Sequence, residues 1–102
     1  MTDTQLLIGI MQNDNRSWRY ICRNLKPRFS KILGDAFPLT KLTNEDIEDI
    51  FQDSLLKLLE KVKNGGVTVS REGAIFSYLV QIGKLTACNF IRNRRPLTPK
   101  EE

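Results

Sequence analysis

The sequence predicts an all-α fold, a small bundle of about four to five helices, on three observations. Apolar residues recur at three- and four-residue spacing along most of the chain. The only β-leaning run is Val67-Thr68-Val69, too short to build on. The length, 102 residues with 40% hydrophobic and 27% charged residues, four Pro and six Gly, suits one soluble domain with a single modest core and no need of a disulfide or metal to hold it.

The elements follow in order. A first short helix is expected from Asp3 to Gln12, opened by Thr2 with Gln5 three residues on, a capping-box pattern, and stopped by Asn13-Asp14-Asn15. It carries Leu6, Leu7, Ile10 and Met11 on one side. A second helix runs from about Asn15 to Leu33, with Trp18, Ile21, Cys22, Leu25, Phe29 and Ile32 on its apolar side. Pro27 removes a backbone bond and disfavours helical geometry at Lys26, so a kink or break is expected there. Gly34 to Leu42 reads as a connection. The third helix has Thr43 as its N-cap, acids in its first turns, and a stop at Asn64-Gly65-Gly66. A fourth begins after Ser70, a plausible cap, and ends near Arg94 or Arg95, because Pro96 forbids continuation. The helical domain is thus 1–95, with 96–102 a tail or the start of a linker.

Composition also excludes functions. The chain has no His, and Cys22 and Cys88 are far apart without C-x-x-C spacing, which removes the common zinc sites and any His-based general base or triad. Neither a catalytic residue nor a metal or other cofactor is expected. The cysteines read as inert small hydrophobes rather than a redox pair, and Trp18 reads as core, as do Phe76 and Tyr78 in preference to base-stacking platforms. The N-terminus is polar without a basic n-region, and no uninterrupted apolar run approaches the roughly 18 residues of a membrane span. A cytoplasmic location is therefore expected, and the sequon Asn15-Arg16-Ser17 carries no weight.

The net charge of +4 is unevenly spread. Residues 1–42 carry seven Lys or Arg against three acids, 43–63 carry three against six, and 64–95 carry five against one. Basic segments suit an anionic partner such as nucleic acid; the acidic one would be repelled from that partner and needs another use.

Helical wheels locate both signs. On the third helix Ile47, Ile50, Phe51, Ser54, Leu55, Leu58 and Val62 form a core face, while Asp49, Gln52, Asp53, Leu56 and Glu60 share the opposite side. That stripe is either a solvated face with one stray Leu or a docking ridge, an apolar anchor within a polar rim. The fourth helix is apolar round most of its circumference, with Ile75, Phe76, Tyr78, Leu79, Val80, Ile82, Leu85, Ala87, Phe90 and Ile91. Its polar strip holds Ser77, Gln81, Lys84, Arg92 and Arg95, with Cys88 among them. Such a strip is either the face a buried helix must show to water or a phosphate-contacting surface. Arg16, Arg19, Arg23 and Lys26 form a second basic strip on the second helix.

The stretch from Glu45 to Leu59, EDIEDIFQDSLLKLL, followed after a Gly-containing loop by Ile75 to Leu85, IFSYLVQIGKL, and a closing Arg cluster, resembles region 2 of bacterial sigma-70-family factors. The resemblance is to the extracytoplasmic-function, or group IV, subfamily, and it covers most of the chain from Asp46 to Arg95. Tyr78 stands where that family often has Trp, Asp53 where it often has Glu, and Leu85 where Asn is common. The family's second domain, which reads the minus-35 element, is absent from these 102 residues, so the chain reads as an N-terminal domain without its companion or as a free-standing single-domain protein.

The resemblance implies a transcription initiation factor domain, non-enzymatic, that binds core RNA polymerase and helps melt the minus-ten promoter element. It makes Asp49, Gln52, Asp53 and Leu56 the surface that docks on the polymerase clamp helices. It gives Lys84, Arg92 and Arg95 to phosphates of the non-template strand, Ser77 and Gln81 to closer contacts, and Asn64, Ser70 and Arg71 to the pocket for a flipped base. An anti-sigma factor would be a further partner. The alternative from a different class is a helical protein-protein adaptor without DNA binding, whose ridge binds a basic protein.

Overall fold

The computed structural model describes residues 1–38, 42–69 and 71–94, with the side chain of Arg94 left aside. It is an all-α bundle: α1 (Asp3–Met11), α2 (Asn15–Tyr20), a π-helical stretch (Ile21–Leu25), α3 (Lys26–Ala36), α4 (Asn44–Lys63) and α5 (Ala74–Arg94). From Asn15 to Ala36 the chain is continuously helical, so four helical rods pack together.

The helix ends follow from local chemistry. The Thr2 and Thr43 hydroxyls each accept a hydrogen bond from the backbone N–H three residues on, and the side-chain oxygens of Gln5 and Asp46 accept one from the cap residue's own N–H. α1 and α4 both close in Schellman fashion. Asn13 at φ +56° and Gly65 at φ +74° supply the left-handed residue, and Asp14 N–H to Gly9 O (2.8 Å) and Gly66 N–H to Lys61 O (2.8 Å) complete the turns. Asp14 then caps α2 through Arg16 N–H (3.1 Å), so one short turn joins α1 and α2.

Pro27 does not break the rod. The residue before it, Lys26, stays helical (φ −59°, ψ −45°), contrary to the expectation of a steric bias there. The chain instead widens by one residue per turn just upstream, where Lys26 N–H reaches Ile21 O. This i→i−5 geometry moves the preceding carbonyls away from the proline ring, which would clash with them in a regular α-helix.

The core is one cluster. Leu6 and Ile10 of α1, Ile21, Leu25, Phe29 and Leu33 of the second rod, Ile50, Phe51, Leu58 and Val62 of α4, and Ile75, Leu79 and Ala87 of α5 are all buried. Phe29 meets Phe51 edge to face with ring centroids 5.0 Å apart. The same ring lies against Gly83 of α5, where an added Cβ would fall 2.5 Å from Phe29 Cζ. Ser54, also fully buried, returns its hydroxyl to Ile50 O at 2.6 Å, so the core face of α4 carries no unpaired polar atom there.

The start of α5 is held from the far end of the chain. Ser70, the expected cap, lies outside the described residues. Asp3 Oδ2 accepts from Ile75 N–H at 3.1 Å, and Asp3 N–H in turn donates to the Glu72 carboxylate at 3.3 Å. Two helix N-termini thereby satisfy each other's free donors.

Several expected core residues are not buried. Cys22 is an exposed free thiol, and so is Cys88, which lies within the polar strip of α5 as the wheel placed it. Leu85 is 69% exposed, since the buried face of α5 is narrower than its composition suggests. Trp18, Phe76 and Tyr78, by contrast, are half-buried and pack against the core cluster, in line with their core reading. By length and mean hydropathy (1.3 over Ala74–Asn93) α5 also reaches the measure of a membrane-spanning helix, which no uninterrupted apolar run had suggested. It carries Lys84 and Arg92, and it packs against α1, α3 and α4 as a core helix does.

Two measurements check this packing. Gly83→Ala should destabilise the fold by about 1–3 kcal/mol in urea titration, since the Phe29 ring has no free side to move into. Asp3→Ala should cost about 0.5–2 kcal/mol, and Asp3→Asn, which still caps, distinctly less.

Candidate functional site

α4 and α5 each turn a chemically distinct face outward. On α4 the residues Asp49, Gln52, Asp53, Leu56 and Glu60 are all exposed, and Leu56 at 64% stands clear of the core. The ridge expected from the wheel therefore exists as a surface. Capping-box geometry fixes the rotation of α4 at its start, and burial of Ile50, Phe51, Ser54, Leu58 and Val62 fixes it along its length. Asp53 is paired with Lys57 at 3.1 Å, and Lys57 Nζ also donates to Thr86 Oγ1 of α5 at 3.1 Å. That pair stitches one flank of the ridge to its neighbour.

The other flank is apolar. Trp18 of α2 lies beside Gln52, Leu55, Leu56 and Leu59, and together they line a groove of about 300 Å³. Trp18 is held in place by its Nε1–H, which donates to Asn13 Oδ1 at 2.7 Å. Trp18 is half-buried against the core cluster, in line with the sequence reading, and its position next to Asn13 on the short α1–α2 turn also brings it to the ridge. The ridge is consequently a carboxylate row bordered by a Trp- and Leu-lined trough, wider than one helix face.

On α5 the strip consists of Ser77, partly buried, and Gln81, Lys84, Cys88 and Arg92, all exposed, with Leu85 in the same sector. Arg95 lies outside the described residues. At the N-terminal end of the strip Thr68, Arg71, Ala74, Ser77, Tyr78 and Gln81 enclose a concavity of about 270 Å³. Three of the expected residues, Arg71, Ser77 and Gln81, thus meet at one place. Asn64 does not join them. It lines a separate groove between α4 and α5 with Lys57, Lys61, Leu85 and Asn89, since it closes α4 while Arg71 belongs to the turn before α5.

Tyr78 edges the concavity and has Lys61 Nζ 5.9 Å from its ring centroid, so it is a partly open aromatic wall. Phe76 is covered by Arg28, whose guanidinium lies 4.3 Å from the ring centroid. The second basic strip is broken up. Lys26 bonds Glu48 and faces the Phe51 ring, and Arg16 is near Asp14 at 3.9 Å. α2 packs on α1, whereas α3 packs on α5, so Arg28 is the cation that the second rod delivers to α5. No spacing rule in the sequence singled out Arg28, because its partner ring is 48 residues away.

Among the described residues no group of three or more His, Cys, Asp or Glu is placed to hold a metal ion. Chemically, the two faces differ: one presents carboxylates beside an apolar trough, the other cations, a hydroxyl and an amide beside an aromatic ring. No protein-family model, curated protein or solved structure matches the chain.

Because Leu56 is solvent-exposed, Leu56→Ala should shift unfolding free energy by no more than about 0.5 kcal/mol in chemical denaturation. A loss of 2 kcal/mol or more, the scale of a buried leucine, would place the side chain in the core and not on a docking surface.

Proposed function

We propose that this chain is a transcription initiation factor domain. In this reading it docks on the clamp helices of core RNA polymerase with the α4 ridge and engages the non-template strand of the minus-ten element with the α5 strip. The observation that carries the reading is the exposure of Leu56 inside the row of Asp49, Gln52 and Asp53. An apolar anchor with carboxylates around it is the form of a hot spot for a basic helix, and the Trp18 trough adds apolar area beside it.

The α5 face supports the second half. Lys84 and Arg92 are exposed cations on one strip, and neutralising the phosphates of a strand with them would release counterions. The concavity of Arg71, Ser77, Tyr78 and Gln81 has the chemistry for one unstacked base: an aromatic wall, a cation, and hydroxyl and amide groups for its edges. Ser70 and Arg95 retain the roles the sigma resemblance gives them, on sequence grounds alone. In this reading the protein acts by binding, without a chemical step of its own, in the cytoplasm where polymerase is found. An anti-sigma factor is a further partner in this reading.

Binding of the chain to bacterial core RNA polymerase tests the proposal. Saturable binding is expected, and Asp49→Lys with Asp53→Lys and Leu56→Ala should weaken it at least tenfold while leaving helicity intact. Folded wild-type chain that does not bind polymerase would overturn the reading and favour the helical adaptor. In the polymerase-bound state, Lys84→Ala with Arg92→Ala should lower the salt dependence of promoter binding by about one unit of slope per residue, measured from log K against log salt.

A further inference from the structure

The turn that closes α4 carries a chemistry of its own. Asn64 is the one asparagine of seven that precedes glycine; the other six are followed by Asp, Arg, Leu, Glu, Phe and Arg, whose side chains crowd the next backbone nitrogen. An asparagine amide carbon can close a five-membered ring with the nitrogen of the following residue, and glycine, lacking Cβ, leaves that nitrogen open to approach. Asn64 is exposed, so water reaches its amide.

We propose that Asn64 is a site of spontaneous deamidation, gated by the last turn of α4. The Gly65 nitrogen attacks Asn64 Cγ, the N–Cγ bond forms, the Cγ–Nδ2 bond breaks and ammonia leaves. The proton that the Gly65 nitrogen gives up balances the one that ammonia carries away. Water then opens the succinimide at either carbonyl. Opening at Cγ leaves aspartate; opening at the main-chain carbonyl leaves isoaspartate, with the chain now running through the side chain. No oxidant, metal or enzyme is needed. The closed turn forbids the first step in two ways. At φ −88° and ψ 5° the Gly65 nitrogen eclipses the Asn64 nitrogen, whereas ring closure needs it beside Cβ. Its N–H is also occupied, donating to Val62 O at 3.0 Å. Gly65 at φ +74° and the bond from Gly66 N–H to Lys61 O (2.8 Å) hold that arrangement. Reaction therefore passes through opening of this one exposed turn, an event separate from global unfolding.

The product alters what lies next to it. Isoaspartate adds a methylene to the main chain, so Gly66 N–H loses its register on Lys61 O. The new carboxylate stands three residues from Lys61, in the groove that Asn64 shares with Lys57 and Lys61. Lys61 Nζ lies 5.9 Å from the Tyr78 ring centroid, so the modification sets a competitor for that cation beside the wall of the α5 concavity. Polymerase plays no part in the reaction.

Incubation of the folded chain at mildly alkaline pH, followed by peptide mapping with mass spectrometry and isoaspartyl methyltransferase labelling, is the test. The mass gain of amide to carboxylate should appear at Asn64 ahead of the other six asparagines. The free peptide Lys61–Val67 should react faster, by a factor that matches the hydrogen-exchange protection of the Gly65 amide in the folded chain to within about threefold. In urea that unfolds the chain the difference should vanish. The isoaspartate form, separated by ion exchange, should have lost protection at the Gly66 amide while keeping its helicity by circular dichroism. Asn64→Gln, which keeps an amide at this exposed position but closes only a slower six-membered ring, should remove the mass gain there. Deamidation that begins at another asparagine, a folded chain that reacts as fast as its peptide, or a slowing that departs from the Gly65 protection would each overturn the inference.

Discussion

The seat of the Phe29 ring is the constraint on which the rest of this structure depends. One side of the ring meets Phe51 of α4 edge to face, and another lies where Gly83 of α5 has no side chain. Three helices are thereby fixed at one point in both distance and rotation. Once α4 is turned so that Phe51 reaches Phe29, Asp49, Asp53 and Leu56 have no alternative to solvent. Once α5 is turned so that Gly83 admits the ring, Gln81 and Lys84 face outward. The surfaces that give the protein its two signs are consequences of how an apolar ring is packed.

A second constraint acts at the end of α5. The reciprocal bonds among Asp3, Glu72 and the Ile75 amide bring the first residues of the chain to the turn that precedes the strip. They also position Arg71, one residue from Glu72, over the concavity formed with Ser77 and Gln81. A contact between residues 72 positions apart thus shapes the place where an anionic ligand would be read.

Much of this was legible in the sequence. The caps at Thr2 and Thr43, the turns at Asn13 and Gly65, and the core face of α4 depend on neighbours within a few residues, and spacing rules see those directly. The exposed ridge was legible for the same reason, being the complement of a well-defined core face. What escaped depends on partners far away in the chain. Arg28 on Phe76, Asp3 at α5 and Trp18 beside Leu56 are set by how rods pack, which no single-helix wheel contains. The apolar richness of α5 misled for Leu85, since composition gives the width of an apolar arc but not how much of it neighbours cover. At Pro27 the sequence marked where the second rod departs from regular α-helix but not the form of the departure, a widening upstream that removes the clash without breaking the rod.

The central claim is that Leu56 and the carboxylates beside it meet RNA polymerase. A photo-activatable amino acid placed at Leu56, with the same probe at Met11 on the exposed end of α1 as comparison, reads that contact directly. The account predicts a crosslink from position 56 into the clamp helices of core polymerase, reduced by excess unlabelled chain, and none from position 11. Crosslinking from position 11 with silence at position 56 would contradict it, and would move the docking surface off α4 altogether.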